Sequence, residues 1–289
     1  TNAERLALTV GNSMGADGNA TNNGATLDTT NEKLGTGCLD FESTESDYIN
    51  ATNLLTNNAM TTTGTIAFWV KPESLNGAKM WTVSSTDSTS GRIYLEQQST
   101  TLWTVFAQQS ASAQWKVDST GVTFSTGTWY HVAITHDGGS SYGAVKIYID
   151  GVDRSVNSNN PSSGGDWTKW VSTIGSPNAM AFGREDYNGT EGAYYDGLID
   201  DIGVWNRALT STEINKLYNN NATGGSLPQL CSTVTSGLRA YYNCDSATTD
   251  NNATNTPPNL TNGTIFNETD TYKYFMFDGT DTWNQMVSS

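Results

Sequence analysis

The sequence predicts an all-β protein: an antiparallel two-sheet β-sandwich with one short C-terminal helix. Three observations lead there. From about Thr63 the chain reads as short runs of period-two alternation rich in Val, Ile, Thr, Tyr, Phe and Trp. Gly, Asn, Asp and Ser, the residues of turns, break these runs. No helix-length amphipathic segment separates them, which argues against parallel β-α-β units.

The clearest strands are, in order, TIAFWVKP, KMWTVSS, RIYLEQQ, TLWTVFAQQ, QWKVD, WYHVAITH, AVKIYIDG and LIDDIGVW. In AVKIYIDGV the Asp150-Gly151 pair is a two-residue hairpin signal. In WYHVAITH the alternation places His131 as a hydrogen-bonded or half-buried sheet residue rather than a ligand. In LIDDIGVW, Ile202 and Val204 are expected to face the core. The helix follows in LTSTEINKLYNN, where Thr210 as N-cap and Glu213 three residues later make a capping box, and Ile214, Leu217 and Tyr218 share a face. The Asn-rich run and GGSLP then end it and read as a linker.

Two domains are expected, 1–225 and 226–289. The tail restates the front of the chain: SGLRAYYNCDS echoes ERLALTVGNS, and YKYFMFDGTDTW echoes GCLDFESTESDYI. It therefore reads as linker plus the N-terminal strands of a second, incomplete copy. Two such strands cannot bury their apolar face alone.

With 14 Lys+Arg against 29 Asp+Glu, the net charge of -15 repels nucleic-acid phosphates and anionic membranes, so nucleic-acid binding is excluded. No apolar run approaches the ~20 residues of a membrane helix, so membrane insertion is not expected. Cys38, Cys231 and Cys244 match no zinc-ligand spacing. Cys231 and Cys244 bracket a strand and are candidates to pair, with one thiol left over.

The order GTWYHVAITHDG, VKIYIDGV, the IG and FGRE turns, then GLIDDIGVWNRALTSTEINKLY resembles the laminin-G-like (concanavalin A-like lectin/glucanase) jelly-roll domains of bacterial and archaeal surface proteins. GCLDFESTESDYIN and GTIAFWVKP extend the resemblance over most of the first domain. It implies an extracellular or cell-surface adhesion module, one unit of a tandem array, with a glycan or surface protein as partner. It also implies a structural calcium at Asp200, with Asp196 close by in sequence. The plain alternative for Asp200 is a strand-end aspartate bonded to backbone amides.

Trp167 and Trp170, in the Gly/Ser-rich stretch SSGGDWTKWVST, are the candidate ligand surface; the alternative is a loop folded back over the core. Of the eight N-x-S/T sequons, the tail cluster Asn252, Asn259, Asn262 and Asn267 is the candidate glycosylation region. Two further functions stay open. The tail strands, residues 238–289, could complete a neighbouring molecule's sandwich, so that the chain builds a fibre or layer with itself as partner. A glycoside hydrolase would need two carboxylates across a groove; the resemblance implies that the hydrolases among such sandwiches carry them on an alternating E-x-D-x-E strand, which is absent from the sequence.

Overall fold

The computed structural model describes residues 8–10, 20–56, 60–156, 165–219, 234 and 236–245, and the backbone of three strands at 265–268, 273–277 and 283–286. The strands are, first, β1 (Leu8–Val10), β2 (Ala20–Asn23), β3 (Thr26–Asp28), β4 (Cys38–Phe41), β5 (Tyr48–Asn50), β6 (Gly64–Pro72), β7 (Lys79–Ser84) and β8 (Gly91–Ser99). Next come β9 (Leu102–Gln109), β10 (Ser112–Ser119), β11 (Tyr130–His136), β12 (Val145–Ile149), β13 (Val152–Asp153), β14 (Ser155–Val156) and β15 (Ala179–Phe182). The last are β16 (Glu185–Tyr187), β17 (Thr190–Gly192), β18 (Gly197–Trp205), β19 (Leu238–Tyr242), β20 (Ile265–Glu268), β21 (Lys273–Phe277) and β22 (Trp283–Met286). The helices are α1 (Asn53–Thr56) and α2 (Ser211–Asn219).

Two sheets face each other. One has nine strands in the order β1-β2-β5-β15-β7-β8-β9-β10-β14, and the other runs β13-β12-β11-β6-β18-β4-β3 with β19 also on β18. Every pairing is antiparallel, as the sequence predicts. The alternation sorts side chains between faces. In β6, Ile66, Phe68 and Val70 enter the core between the sheets, while Ala67 joins an outer cluster with Ile214 and Leu217 of α2. β6 is therefore covered on both sides, which is why it reads as a nearly unbroken apolar run.

Local signals set the joints. Asp150 and Gly151 both take positive φ, 52° and 75°, the backbone of a type I′ turn between β12 and β13. The Asp150 carboxylate also accepts the His131 amide at 2.9 Å, tying the turn to β11. At α2 the capping box forms in full: the Glu213 amide donates to Thr210 Oγ1 at 3.3 Å, and the Thr210 amide donates to Glu213 Oε2 at 2.8 Å.

The chain divides into two compact units, Thr1–Asp250 and Asn251–Ser289. β19, which the sequence places in the second copy, belongs to the first unit. It pairs with β18 from Ile202 to Trp205, on the edge that β4 covers only from Gly197 to Ile199. The division at 225 is corrected accordingly, because an open strand edge and a strand-forming segment are more stable paired. The second unit is a three-stranded antiparallel sheet, β20-β21-β22. Cys231, Asn252, Asn259 and Asn262 lie outside the described residues, as does the side chain of Asn267 in β20.

Candidate functional site: the outer face of the nine-stranded sheet

In β8, Ile93 and Leu95 point into the core while Arg92, Tyr94 and Glu96 point outward. In β9, Trp103, Val105 and Ala107 are core and Phe106 and Gln108 face out; in β10, Trp115 and Val117 are core and Lys116 faces out. Register lines these up across the sheet: Thr82, Tyr94, Phe106 and Lys116 form one row, with Ser84, Arg92 and Gln108 in the next. The Tyr94 and Phe106 rings lie 5.3 Å apart at 37°, both half-buried.

Cations frame this pair. Lys79 Nζ is 4.2 Å from the Tyr94 ring centre and 2.7 Å from Glu96 Oε1. The Arg92 guanidinium lies 4.4 Å over Tyr187, bonds Glu185 at 2.9 Å and donates to Gln108 Oε1 at 2.8 Å. Burial first, then the neighbouring Glu96, pushes the Tyr94 hydroxyl up to about 12, so it remains a hydrogen-bond donor at every physiological pH.

One wall is the hairpin of β16 and β17, which follows the FGRE turn and is not among the strands the sequence predicts. It sits over β7 because Thr82 Oγ1 donates to the Arg184 carbonyl at 2.9 Å and Ser84 Oγ to the Asp186 carbonyl. Those bonds explain why Thr82 and Ser84, outward by parity, are buried. Arg184 stacks 3.6 Å over Tyr48 and bonds Glu191 at 2.6 Å. The result is a strip of ring faces bordered by directional donors and acceptors, suited to a ligand with alternating apolar and hydroxylated surfaces.

The exposed surface expected at Trp167 and Trp170 is not there. Trp170 is fully buried and Trp167 is 7% exposed. Trp170 packs 5.9 Å from Trp81, 6.2 Å from Trp115 and 5.0 Å from His136, measured between ring centres. His136 Nε2 lies 2.8 Å from the Trp167 carbonyl oxygen, and Trp115 Nε1 donates to the Lys169 carbonyl at 2.9 Å. The loop is a lid on the core.

Asp200 and Asp196 do not share a site. Asp200 is fully buried, and its Oδ2 accepts the amides of Lys33 and Leu34 at 3.0 Å each. Asp196 Oδ1 instead accepts the amide and hydroxyl of Ser43, both at 3.2 Å. Four residues of extended chain put the two roughly 13 Å apart, too far for one calcium shell. The donors therefore do not fit a calcium held jointly by Asp196 and Asp200, and Asp200 serves to pin the loop before β4. Elsewhere on the eight-stranded sheet, ligand oxygens of Asp40, Glu42 and Glu73 come within 4.8 Å of one another. Burial, then mutual repulsion, raises the Asp40 and Glu42 carboxyls. That group belongs to the opposite sheet from Tyr94 and Phe106.

A second concavity, about 430 Å³, is lined by Tyr142, Gly143, Val145, Lys146, Asp153 and Ser155 beside β12. Its one large ring, Tyr142, is 52% exposed.

The architecture is that of a lectin-type jelly roll. The family model of the Concanavalin A-like lectin/glucanases superfamily matches residues 43–215, and the chain belongs to that superfamily. Among solved structures, it is similar to domain 4 of AbnA, a GH43 extracellular arabinanase from Geobacillus stearothermophilus, in complex with arabinotriose. That match has 19% identity and a TM-score of 0.47, covering 73% of this chain and 98% of that one. It is also similar to the Ruminococcus gnavus IT-sialidase CBM40 bound to α2,3 sialyllactose, at 15% identity and a TM-score of 0.45, covering 59% of this chain and 86% of that one. A SAP-like pentraxin from Limulus polyphemus matches at 18% identity and a TM-score of 0.41, over 55% of this chain and 70% of that one. No curated protein matches the sequence.

Proposed function

We propose that this chain is a non-catalytic glycan-binding module that acts outside the cell as one unit of a larger surface array. Its platform is the Tyr94–Phe106 pair with Arg92, Gln108 and Lys116 around it. The observation that carries this reading is the ring pair itself: two half-exposed aromatics on the outer face of a packed sheet, in register with Lys116 and beside Arg92. Membership of a lectin/glucanase superfamily supports it.

The chemistry at the strip favours binding over hydrolysis. Glu96 is bonded to Lys79, Glu185 to Arg92 and Asp118 to Lys116, so each of these carboxylates is engaged by a cation. A hydrolase needs one carboxyl free to donate a proton and another placed across the sugar.

The test is a glycan array probed with the intact chain, followed by calorimetry on the best ligand. Tyr94→Ala and Phe106→Ala are each expected to weaken binding by roughly 5- to 30-fold, the loss of a central contact worth about 1–2 kcal/mol. Release of reducing ends should stay at background. Absence of saturable binding across the array, or affinity unchanged in the double variant, would remove the platform.

A further inference from the structure

Val234 and residues 236–245 pack into the first unit although they lie beyond α2. Ala240 and Tyr242 enter the core between the sheets, while Tyr241 packs with Trp205, Leu209, Ile214 and Leu217 on the outer side. The Tyr241 hydroxyl donates to Asp201 Oδ1. Asp201 sits at a bulge with φ of 49°, where β18 carries one more residue than β6. The Trp205 indole donates to the Val234 carbonyl at 2.8 Å, and the Asn206 amide donates to that of Gly237 at 2.8 Å. Beyond the strand, Asp245 Oδ1 accepts the Gly37 amide at 3.2 Å.

The sequence assigns this segment elsewhere. LRAYYNCDS restates the RLALTVGNS of the chain's front, and both are followed by a polar stretch and an aromatic FE or FD strand end. Yet the front counterpart, β1, pairs with β2 in the nine-stranded sheet, whereas the later one closes the eight-stranded sheet. The eight-stranded sheet is thus completed by a segment whose sequence echoes the front of the chain.

We propose that the Ile202–Trp205 edge of β18 is a strand-acceptor site, and that a second copy of this chain can fill it with residues 238–242 as the chain does for itself. With the slot empty, the Ile202–Trp205 edge of β18 and the buried Asp201 carboxylate lose the partners that residues 238–242 supply, which drives uptake of a matching strand. Recognition is by main-chain pairing, with small-aromatic-aromatic order in Ala240, Tyr241 and Tyr242 setting register.

The experiment uses the full chain carrying Ala240→Asp and Tyr242→Asp, which keeps its own strand out of the core, and a fluorescent peptide spanning residues 234–247. The expected result is saturable binding of the peptide, a higher Tm of the variant on binding, and neither effect with a peptide carrying the same two aspartates. A destabilised variant that ignores the wild-type peptide overturns the proposal, and so does a variant as stable as the wild type. If the variant does not fold, the wild-type chain is held at mid-transition in urea with the labelled peptide and diluted back. Label retained only with the wild-type peptide supports exchange, and no retained label overturns it.

Discussion

Replacing Trp170 with alanine removes a ring buried against Trp81, Trp115 and His136. The expected cost is about 3–5 kcal/mol, read as a lowered midpoint in a urea melt, with glycan affinity unchanged in the folded fraction. A variant of native stability that loses binding would restore the tryptophans as the ligand surface. Their true position was not legible, because a Gly/Ser-rich loop that folds inward has the same sequence as one that does not. The parity of Arg92, Tyr94 and Glu96 against Ile93 and Leu95 was legible, and would have marked Tyr94 as an outward ring on a polar face.

Asp200 and Asp201 supply a second test at this scale. Burial comes first among the causes that raise both carboxyls above the ordinary carboxylate range, and at Asp200 repulsion by Asp201 adds to it. The folded state therefore holds more protons than the unfolded chain above the ordinary carboxylate pKa. Ionising these two carboxyls therefore costs stability as pH rises from there through the raised values, while burial of His131 and His136, which lowers both imidazoles, works in the opposite sense up to the ordinary imidazole range. Denaturant melts from pH 5 to 8 should show the wild type losing stability relative to Asp201→Asn as pH rises, the histidine contribution being common to both. An Asp201→Asn profile as steep as the wild type's contradicts the assignment.

At the scale of elements, the strands from β6 to β12 and the capped helix α2 follow from pattern, since alternation and a capping box are local physics. Thr210→Ala should lower stability by about 1 kcal/mol, checked by the urea midpoint, through loss of the bond to the Glu213 amide. A Thr210→Ala midpoint equal to the wild type's would show that tertiary packing alone holds α2. The β16–β17 hairpin was hidden by its charged, turn-rich composition. Its signal was the Asn188-Gly189 pair, whose φ values of 52° and 75° make the two-residue turn between Tyr187 and Thr190. That hairpin matters because it makes one border of the strip and carries Glu185 and Tyr187 to Arg92.

At the scale of the molecule, the sandwich and its superfamily were readable from the order of motifs, while the ownership of β19 was not. A repeat echo states which segments resemble each other, and pairing is decided by which edge is open. A chain ending after Asn219 should accordingly melt well below one ending at Asp250, since the shorter one lacks the core side chains of Ala240, Tyr242 and Cys244 and the Asp201 partner. Equal melting temperatures would remove β19 from the folding unit. In a chain of net charge -15, the platform gathers Lys79, Arg92, Lys116 and Arg184, each beside an acidic partner. The strip is thus close to locally neutral, consistent with a ligand held by stacking and hydrogen bonds rather than by charge alone.

The most direct measurement is hydrogen–deuterium exchange of the intact chain with and without its best glycan. Binding at the platform predicts slowed exchange confined to peptides covering residues 91–119 and 185–192. Protection centred instead on residues 142–155, beside the β12 groove, or no protection at saturating glycan, would contradict it.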